Sequence, residues 1–432
     1  MALALSRSAK VTLFERGRKA HSAPETPSLT GHPLGLAQTF GYGLGGTTNL
    51  WRGSMLSMRP EEFNSDWPVN VSKQLQTYSQ EVMRLLYGTH VAQEWASRQG
   101  TIADNDCILD SVFTPVTPFR IAKLSGLQAA SVRLESLVED IRETPGGVRL
   151  SVRTNGRIDK LEFDFVVLAG GAINSPLLLK RSSLGGTQVG LNLTDHPMGM
   201  VAKVVRGCSS TRFGGMAPNG SWKKVAKFRD NETGLWTSFQ LCPAHDLLFE
   251  RDEYLASAQQ RRPLNVFKSE YWRKFGASEY WAMMARKISG NSRLGEFAFV
   301  LAMAEQEARG QGKISELNHQ VNIDWHVSER VCGAIRRSLS GLEKWLGCDL
   351  HLAPGEIKNR VWSGAHHAGT CRISTNANSG VVDENLRVHD TSRIFVCDAS
   401  VLPSTGASNT GLTIGSLALR LAGHLCRQAT HA

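Results

Sequence analysis

Residues 165–171 read Phe-Val-Val-Leu-Ala-Gly-Gly, an uninterrupted apolar run that closes on two glycines. Such runs are typical of parallel sheets, because a strand covered on both faces has no solvent side on which polar residues would alternate. A second run of this kind, Ile-Phe-Val-Cys-Asp, occupies residues 394–398 and ends in an acidic residue. Residues 410–427 then place their leucines at helical spacing. These stretches predict two strands and a helix of an α/β domain.

The start of the chain has the same character. Residues 2–8 have the composition of the last turns of a helix, and residues 10–15 that of a strand ending in Glu15. Residues 132–141 and 148–154 alternate between polar and apolar side chains, which predicts half-buried strands.

The middle of the chain differs in composition. Residues 200–355 are richer in Trp, Tyr and basic residues, and helical spacing predicts helices within 250–287 and 328–346, besides one at 74–87. Segments of α/β character at both ends of a chain, with a different segment between them, suit a discontinuous nucleotide-binding domain with an inserted substrate domain.

Composition limits the class of protein. The 432 residues are 41% hydrophobic, which is ordinary for a globular chain long enough for two domains. No run approaches the roughly 20 apolar residues of a membrane span, and the short apolar start is no signal peptide, so we expect a cytoplasmic protein without an integral membrane segment. The net charge of +10 suits a soluble basic protein or one that attracts an anionic partner. No zinc finger or basic helical repeat accompanies this charge, so we expect no nucleic-acid partner.

The eight cysteines are scattered, and none forms a Cys-x-x-Cys pair. This pattern predicts no metal site and no thioredoxin-type motif. It is typical of an intracellular enzyme whose thiols stay reduced.

Two motifs near the C-terminus carry chemistry. Residues 365–372 read Ala-His-His-Ala-Gly-Thr-Cys-Arg, and residues 406–413 read Gly-Ala-Ser-Asn-Thr-Gly-Leu-Thr. A histidine pair in a loop is by itself more often structural, but Asn409 follows His366 by 43 residues. In order and spacing the motifs resemble the C-terminal signature of the glucose–methanol–choline (GMC) oxidoreductase family, whose members oxidise alcohols with FAD.

The resemblance extends upstream. Residues 43–51 are similar to the family's glycine-rich flavin loop, residues 166–179 to the unit that closes over the adenine end, and residues 190–197 to a further family block. The fold class implied is α/β, a discontinuous Rossmann-like FAD-binding domain with an inserted α+β substrate domain built on an antiparallel sheet. The FAD-binding domain is predicted at residues 1–66, 118–200 and 356–432, and the substrate domain at residues 67–117 and 201–355.

The resemblance implies a role for each residue of the motif pair. His366 is the base that takes the alcohol proton while the hydride moves to flavin N5, since a neutral imidazole suits this task near neutral pH. Asn409 donates a hydrogen bond that holds the substrate oxygen, and His367 is a packed neighbour. Asn409 also precedes the 410–427 helix, whose N-terminus carries partial positive charge, so it is an N-cap, a substrate ligand or both.

Other residues match family positions that contact FAD. Glu15 ends its strand where an acid binds the ribose hydroxyls of a dinucleotide, although a surface glutamate before a turn would look the same. Asp398 contacts the flavin chain or is a turn residue, and Val138 meets the adenine through its backbone or is core. The predicted cofactor-binding residues are Glu15, Gly45, Gly46, Thr47, Asn49, Leu50, Trp51, Val138, Gly170, Gly171, Asp398, Ala399 and Thr410.

Leu50 is informative through its side chain. In some family members this loop position is a histidine joined covalently to the flavin, and leucine cannot form that bond. The resemblance therefore implies non-covalent FAD.

The chain departs from the family pattern at its start. The first strand and the Gly-x-Gly-x-x-Gly turn that face the pyrophosphate are absent before residues 2–8. Two interpretations stay open, a chain truncated or misassigned at its start, and a degenerate, non-catalytic homologue that acts as a binding or partner protein.

The expected activity is oxidation of a CH–OH group in a sugar, polyol or other alcohol. The loop sequence Thr-Thr-Asn-Leu-Trp and Asn409 look more like those of sugar- and polyol-oxidising relatives. A hydroxylase that uses NADPH and oxygen is disfavoured, since no second dinucleotide loop is present. Oxygen, a quinone and a redox protein are alternative electron acceptors.

Overall fold

The computed structural model describes residues 1–18, 41–51, 53–98, 101–103, 107–115, 130–204, 222–243, 298–307, 309–310, 312–318, 320–352 and 355–431. The helices within these ranges are α1 (Ala2–Leu5), α2 (Val69–Tyr87), α3 (Thr89–Ser97), α4 (Gly171–Arg181), α5 (Glu329–Leu346) and α6 (Thr410–His431). The strands are β1 (Thr12–Phe14), β2 (Thr101–Ala103), β3 (Cys107–Phe113), β4 (Ser131–Arg133), β5 (Ser136–Thr144), β6 (Gly147–Thr154), β7 (Arg157–Phe163), β8 (Val166–Leu168), β9 (Pro197–Val204), β10 (Trp222–Arg229), β11 (Trp236–Pro243), β12 (Ala298–Ala304), β13 (Gly312–Leu317), β14 (Gln320–Trp325), β15 (Leu350–Leu352), β16 (Val361–Ser363) and β17 (Ile394–Val396).

The parallel pairing predicted from the apolar runs is present. Strand β17 pairs with β8, with Ile394 opposite Val166, and β1 pairs with β4. All three residues of β17 are fully buried, which explains why its sequence does not alternate. Beside these pairs, β5, β6 and β7 form an antiparallel three-stranded sheet.

A larger antiparallel sheet forms the second part of the molecule. Its strand order is β15-β9-β12-β11-β10-β3-β2, and β16 also pairs with β9. Helix α5 packs against β10 and β11, and Gly341 on that helix lies against the Phe228 ring. The mixed α/β architecture with an antiparallel substrate-domain sheet is therefore confirmed. Strand β9 spans the predicted boundary after residue 200, and the domain boundaries stay predictions.

Most of the predicted elements are confirmed. The helices expected at 74–87, 328–346 and 410–427 are α2, α5 and α6. The single strand expected at 132–141 is wrong, because Glu135 adopts a φ of 53° and divides this stretch into β4 and β5. The helices expected within 250–287 lie outside the described residues.

Three further observations concern the class of protein. Among the described helices, none is both long and apolar enough to cross a membrane. In the same part of the chain, His, Cys, Asp and Glu side chains form no group of three or more suited to a metal ion. Cys348 is disulfide-bonded, so the expectation that every thiol stays reduced is wrong for this residue.

Candidate active site

A buried carboxylate, Asp195, joins the two segments that carry the histidines. It precedes β9 and is fully buried. Its Oδ1 accepts the backbone N–H of His196 at 2.6 Å and that of His366 at 2.9 Å, and its Oδ2 accepts the Ser363 hydroxyl. The His367 Nδ1 lies 2.9 Å from the same Oδ2. This one side chain therefore holds the 363–367 segment against the start of β9.

The environment of Asp195 keeps this carboxylate ionised. Burial by itself raises the pKa of a carboxyl group, but the electrostatic effect of the neighbouring His367 and the hydrogen bonds from His367 and Ser363 outweigh it and lower the pKa of Asp195 to about 2. A fixed negative charge therefore lies beside the histidines at neutral pH.

His366 contacts a second histidine that the sequence interpretation assigned no role. The Nδ1 atoms of His366 and His196 are 2.8 Å apart, with the two rings nearly perpendicular. The other ring nitrogen of His196, Nε2, is 2.8 Å from the carbonyl oxygen of Gly406. His196 therefore connects His366 to the loop that leads to Asn409.

The electrostatics keep His366 neutral. Its ring is partly exposed, and burial together with the neighbouring His196 lowers the pKa of His366 to about 3, although Asp195 opposes this shift. The described residues make no hydrogen bond to Nε2 of His366. A neutral imidazole with one unengaged nitrogen can accept a proton from a bound molecule.

Asn409 lies at the start of α6. Its backbone N–H donates to the Leu56 carbonyl at 3.2 Å, and its side chain is partly exposed. Among the described residues nothing hydrogen-bonds to its side-chain amide, whereas the following Thr410 is buried in the first helical turn. The amide is thus available to a ligand at the N-terminus of α6, where helix N–H groups favour negative charge.

A buried ion pair supports the loop before Asn409. Lys227 on β10 is fully buried, and its Nζ donates to Glu62 Oε2 at 2.6 Å, to Ser408 Oγ at 2.7 Å and to the Ser57 carbonyl at 2.8 Å. The other oxygen of Glu62 accepts the Ala407 N–H at 2.8 Å. The pair therefore connects the antiparallel sheet to the loop that carries Asn409.

The end of β12 supplies two more buried groups. Gln306 Oε1 accepts the Asp195 N–H at 2.9 Å and the Trp325 indole N–H at 2.6 Å. Burial raises the pKa of Glu305 to about 8, against the lowering effect of the Trp236 and Gly406 backbone. Like Glu62, Glu305 therefore interacts with the 406–409 loop, through the backbone of Gly406.

Asp398 and the N-terminus of α4 meet where the two parallel strands end. Asp398 Oδ2 accepts the Gly171 N–H at 2.8 Å and the Ser175 hydroxyl at 2.6 Å, and Oδ1 accepts the Ser400 N–H. Gly170 donates to Ser175, and Ala399 begins a 3-10 turn after Asp398. A β-carbon on Gly171 would meet no heavy atom of the described residues within 4 Å, so these residues leave space open beside the helix N-terminus.

The predicted glycine-rich loop is held by Glu15. Its Oε1 accepts the N–H groups of Gly17 at 2.7 Å and Gly43 at 3.0 Å. The loop continues through Gly45, whose φ is 98°, into a 3-10 turn, Gly46–Asn49, which contains Thr47. The Asn49 amide closes this turn by donating to the Leu44 carbonyl at 2.9 Å.

The loop also reaches α6. Trp51, which follows Leu50, lies so close to Gly411 on α6 that a β-carbon there would be 2.6 Å from the ring. Val138 is partly buried on β5, beside an irregularity in its pairing with β6. Glycine N–H groups, an acid at a strand end and open space at a helix N-terminus are features that suit a dinucleotide.

Four important residues received no role in the sequence interpretation: Asp195, His196, Lys227 and Glu62. The Asp-His pair lies in the 190–197 block that resembled the family, so that block was the signal available for it. Lys227 stands among the basic residues of β10, and nothing in its local sequence separates it from exposed lysines nearby.

Comparisons with known proteins agree with this arrangement. Two sequence profiles, both described as GMC oxidoreductase, match residues 130–198 and 334–418. Long-chain-alcohol oxidase FAO3 of Arabidopsis thaliana is 37% identical over an alignment that covers 64% of this chain and 38% of that protein. GMC oxidoreductase family protein Mala s 12 of Malassezia sympodialis is 24% identical, over 55% of this chain and 45% of that protein. The chain thus spans less than half the length of these curated relatives.

Solved structures share the fold. Pyridoxine 4-oxidase from Mesorbium loti aligns with a TM-score of 0.61 and 16% identity, over 100% of this chain and 96% of that one. A fungal aryl-alcohol oxidase aligns with a TM-score of 0.57 and 13% identity, over 99% and 97% of the two chains.

Proposed function

We propose that the chain is a GMC oxidoreductase, as the two matching family profiles support, and that it oxidises the CH–OH group of an alcohol to a carbonyl, with FAD as the hydride acceptor. The observation that carries this proposal is the neutral, partly exposed His366, connected through His196 to the loop of Asn409. Alcohol oxidation removes a hydride from carbon and a proton from oxygen, so the site requires a base next to a group that holds the oxygen.

The proposed substrate is a small-molecule alcohol. Two of the relatives are named for alcohols, a long-chain-alcohol oxidase and an aryl-alcohol oxidase, which supports a hydrophobic primary alcohol as the first class to test. Sugars and polyols, suggested by the loop sequence and Asn409, are the second class.

His366 performs the proton transfer in this proposal. Its Nε2 accepts the hydroxyl proton, while the Asn409 amide donates to the same oxygen and holds it in place. The cation that forms on His366 is stabilised by the ionised Asp195, which accepts the His366 backbone N–H at 2.9 Å. FAD, when bound, supplies the hydride acceptor.

Residues from five segments would hold FAD. Glu15 and the 45–51 loop would contact one part of the dinucleotide, and the Gly170–Gly171 turn with Asp398 and Ala399 would contact another. The N-terminus of α6 at Thr410 would stabilise negative charge on the reduced ring system. With Leu50 in the loop, the proposed binding is non-covalent.

The test is an anaerobic screen of the FAD-loaded protein against dodecan-1-ol, benzyl alcohol, glucose and glycerol, read by bleaching of the flavin spectrum. We expect at least one alcohol to bleach it, and His366→Ala to slow bleaching by about 10² to 10⁴-fold while FAD stays bound. Admitting oxygen or a quinone afterwards identifies the acceptor. Bleaching of the His366→Ala protein at the wild-type rate would show that His366 is not the base, and bleaching by NADPH alone would favour a hydroxylase.

A further inference from the structure

Both ring nitrogens of His196 have a partner, and one of these partners fixes the ring's protonation. The Gly406 carbonyl oxygen, 2.8 Å from Nε2, can only accept a hydrogen bond. His196 Nε2 must therefore carry a hydrogen. In a neutral imidazole the other nitrogen then has none, so Nδ1 of His196 is an acceptor.

The acceptor nitrogen of His196 in turn determines where His366 carries its hydrogen, because the two Nδ1 atoms are 2.8 Å apart. Two acceptors cannot share a hydrogen bond, so His366 Nδ1 must carry a hydrogen and donate it. In neutral His366 this leaves Nε2 without one. We infer that His196 is a positioning residue that fixes the hydrogen of His366 on Nδ1 and so makes Nε2 the basic nitrogen. This inference rests on the proposed function for its catalytic meaning, but the tautomers can be measured without any substrate.

His196 must be neutral for its Nδ1 to act as an acceptor, and its surroundings favour this state. Burial lowers the pKa of His196 below its ordinary value, and the positive charge of Lys227 acts in the same direction. Asp195 and the Gly406 and Thr405 backbone oppose that shift without reversing it.

The backbone of His196 is also fixed on both sides. Its N–H donates to Asp195 Oδ1 at 2.6 Å, and its carbonyl accepts the Gly364 N–H at 2.8 Å. Asp195 binds the His366 backbone through the same Oδ1. The relative position of the two rings is therefore set by main-chain contacts, and the Nδ1–Nδ1 hydrogen bond keeps its geometry when His366 becomes a cation, because the cation still donates from Nδ1.

The first test is ¹⁵N NMR of the holoenzyme labelled with [¹⁵N]histidine. The chain has 13 histidines. The signals of His366 and His196 are assigned as those that disappear in His366→Gln and in His196→Asn. We expect opposite tautomers, with the hydrogen on Nδ1 in His366 and on Nε2 in His196. A hydrogen on Nε2 of His366, or exchange between its two nitrogens, would overturn the inference.

The second test compares two replacements of His196. Both lose the contact with Gly406, but asparagine retains an acceptor near the position of Nδ1 and leucine does not. We expect His196→Asn to keep the Nδ1–H form of His366 and His196→Leu to lose it. His389→Leu is the control, because its Nε2 also contacts a carbonyl, that of Ser374 at 3.1 Å. Equal His366 spectra in all three variants would contradict the role of His196.

Kinetics connect the tautomer to catalysis. With dodecan-1-ol as reductant, we expect His196→Leu to slow flavin reduction by about 10²-fold or more, while His196→Asn is at least about tenfold faster than His196→Leu. If both variants retain the wild-type rate, His196 has no positioning role. If the tautomers are as expected but no alcohol reduces the flavin of the wild type, the proposed function fails while the placement of His196 holds. A His196→Leu protein that does not fold leaves the wild-type spectrum as the deciding measurement.

Discussion

The indole of Trp51 lies against Gly411 in the first turn of α6, where a β-carbon would come within 2.6 Å of ring atom Cζ3. This contact joins the glycine-rich loop to the helix that follows Asn409. Glycine within a helix costs about 0.5–1 kcal/mol relative to alanine, so its position here has a steric reason.

Gly411→Ala should therefore displace Trp51 and weaken FAD binding. Overpacking of this kind costs about 1–3 kcal/mol, which corresponds to a rise of roughly 5- to 140-fold in the dissociation constant of FAD. The measurement is flavin fluorescence titration of the apoprotein. The matched control is Gly423→Ala in the same helix, where the new β-carbon meets only the end of the Arg427 side chain at 3.5 Å. Equal FAD affinity of the two variants would show that the Trp51 contact does not position the loop.

Replacement of Lys227 tests the buried ion pair. Lys227→Met removes the cation that faces two buried carboxylates, Glu62 at 2.6 Å and Asp110 at 3.5 Å, so we expect a loss of about 3–5 kcal/mol in the free energy of unfolding, measured by urea denaturation. Lys223→Met, at an exposed position near the start of the same strand, should change stability by no more than about 0.5 kcal/mol. The double variant Lys227→Met/Glu62→Gln should recover part of the loss, since it removes the nearer of the two carboxylates while Asp110 remains. A double variant no more stable than Lys227→Met would contradict the pairing.

Glu305 gives a prediction about pH. Its pKa of about 8 in the folded protein lies above that of an unfolded glutamate, about 4.3, so the folded state binds more protons between these values. Stability contributed by protonated Glu305 is thus complete below the lower value and is lost as the pH rises through about 8. Glu305→Gln should be close to the wild type in free energy of unfolding at pH 5 and exceed it at pH 9 by on the order of 4 kcal/mol, measured by denaturation at the two pH values.

The control for this pH effect is Glu61→Gln, which changes an exposed carboxylate. It should show no such gain at pH 9. If Glu305→Gln and the wild type lose stability equally between pH 5 and pH 9, Glu305 does not titrate in this range.

Leu50 predicts how FAD is held. A leucine side chain has no nucleophilic atom, so we expect acid precipitation of the holoprotein to release the flavin into the supernatant. Absorbance of the two fractions measures this directly. Yellow colour retained by the washed pellet would mean that the flavin is joined covalently to another residue.

Much of the fold was predictable because a strand buried on both faces is a continuous apolar run in the sequence, and a helix buried on one face has regularly spaced apolar residues. The apolar runs at 165–169 and 394–398 predicted the parallel pair β8–β17, and helical spacing predicted α2, α5 and α6. The break at Glu135 was missed, since alternation continues through it and only the backbone φ of 53° reveals it.

The residues of the site also fall into those that the sequence predicts and those that it does not. His366 and Asn409 were identifiable because motif order and spacing lie within one stretch of sequence. The buried Lys227 was not, because its exposure depends on which strands pack above it, and the residues that accept hydrogen bonds from its Nζ are 165 and more positions distant in sequence.

The sequence by itself determined the α/β class, the family resemblance, the His366–Asn409 pair and the leucine in the flavin loop. These follow from local composition and from residue order, which can be read directly from the sequence. Only the tertiary structure decided which atoms surround His366. Its contact with His196 joins residues 170 positions apart in sequence. Gly406, whose carbonyl orients His196, is 210 positions from His196. Such hydrogen bonds depend on how distant strands and loops pack together, which no local pattern records.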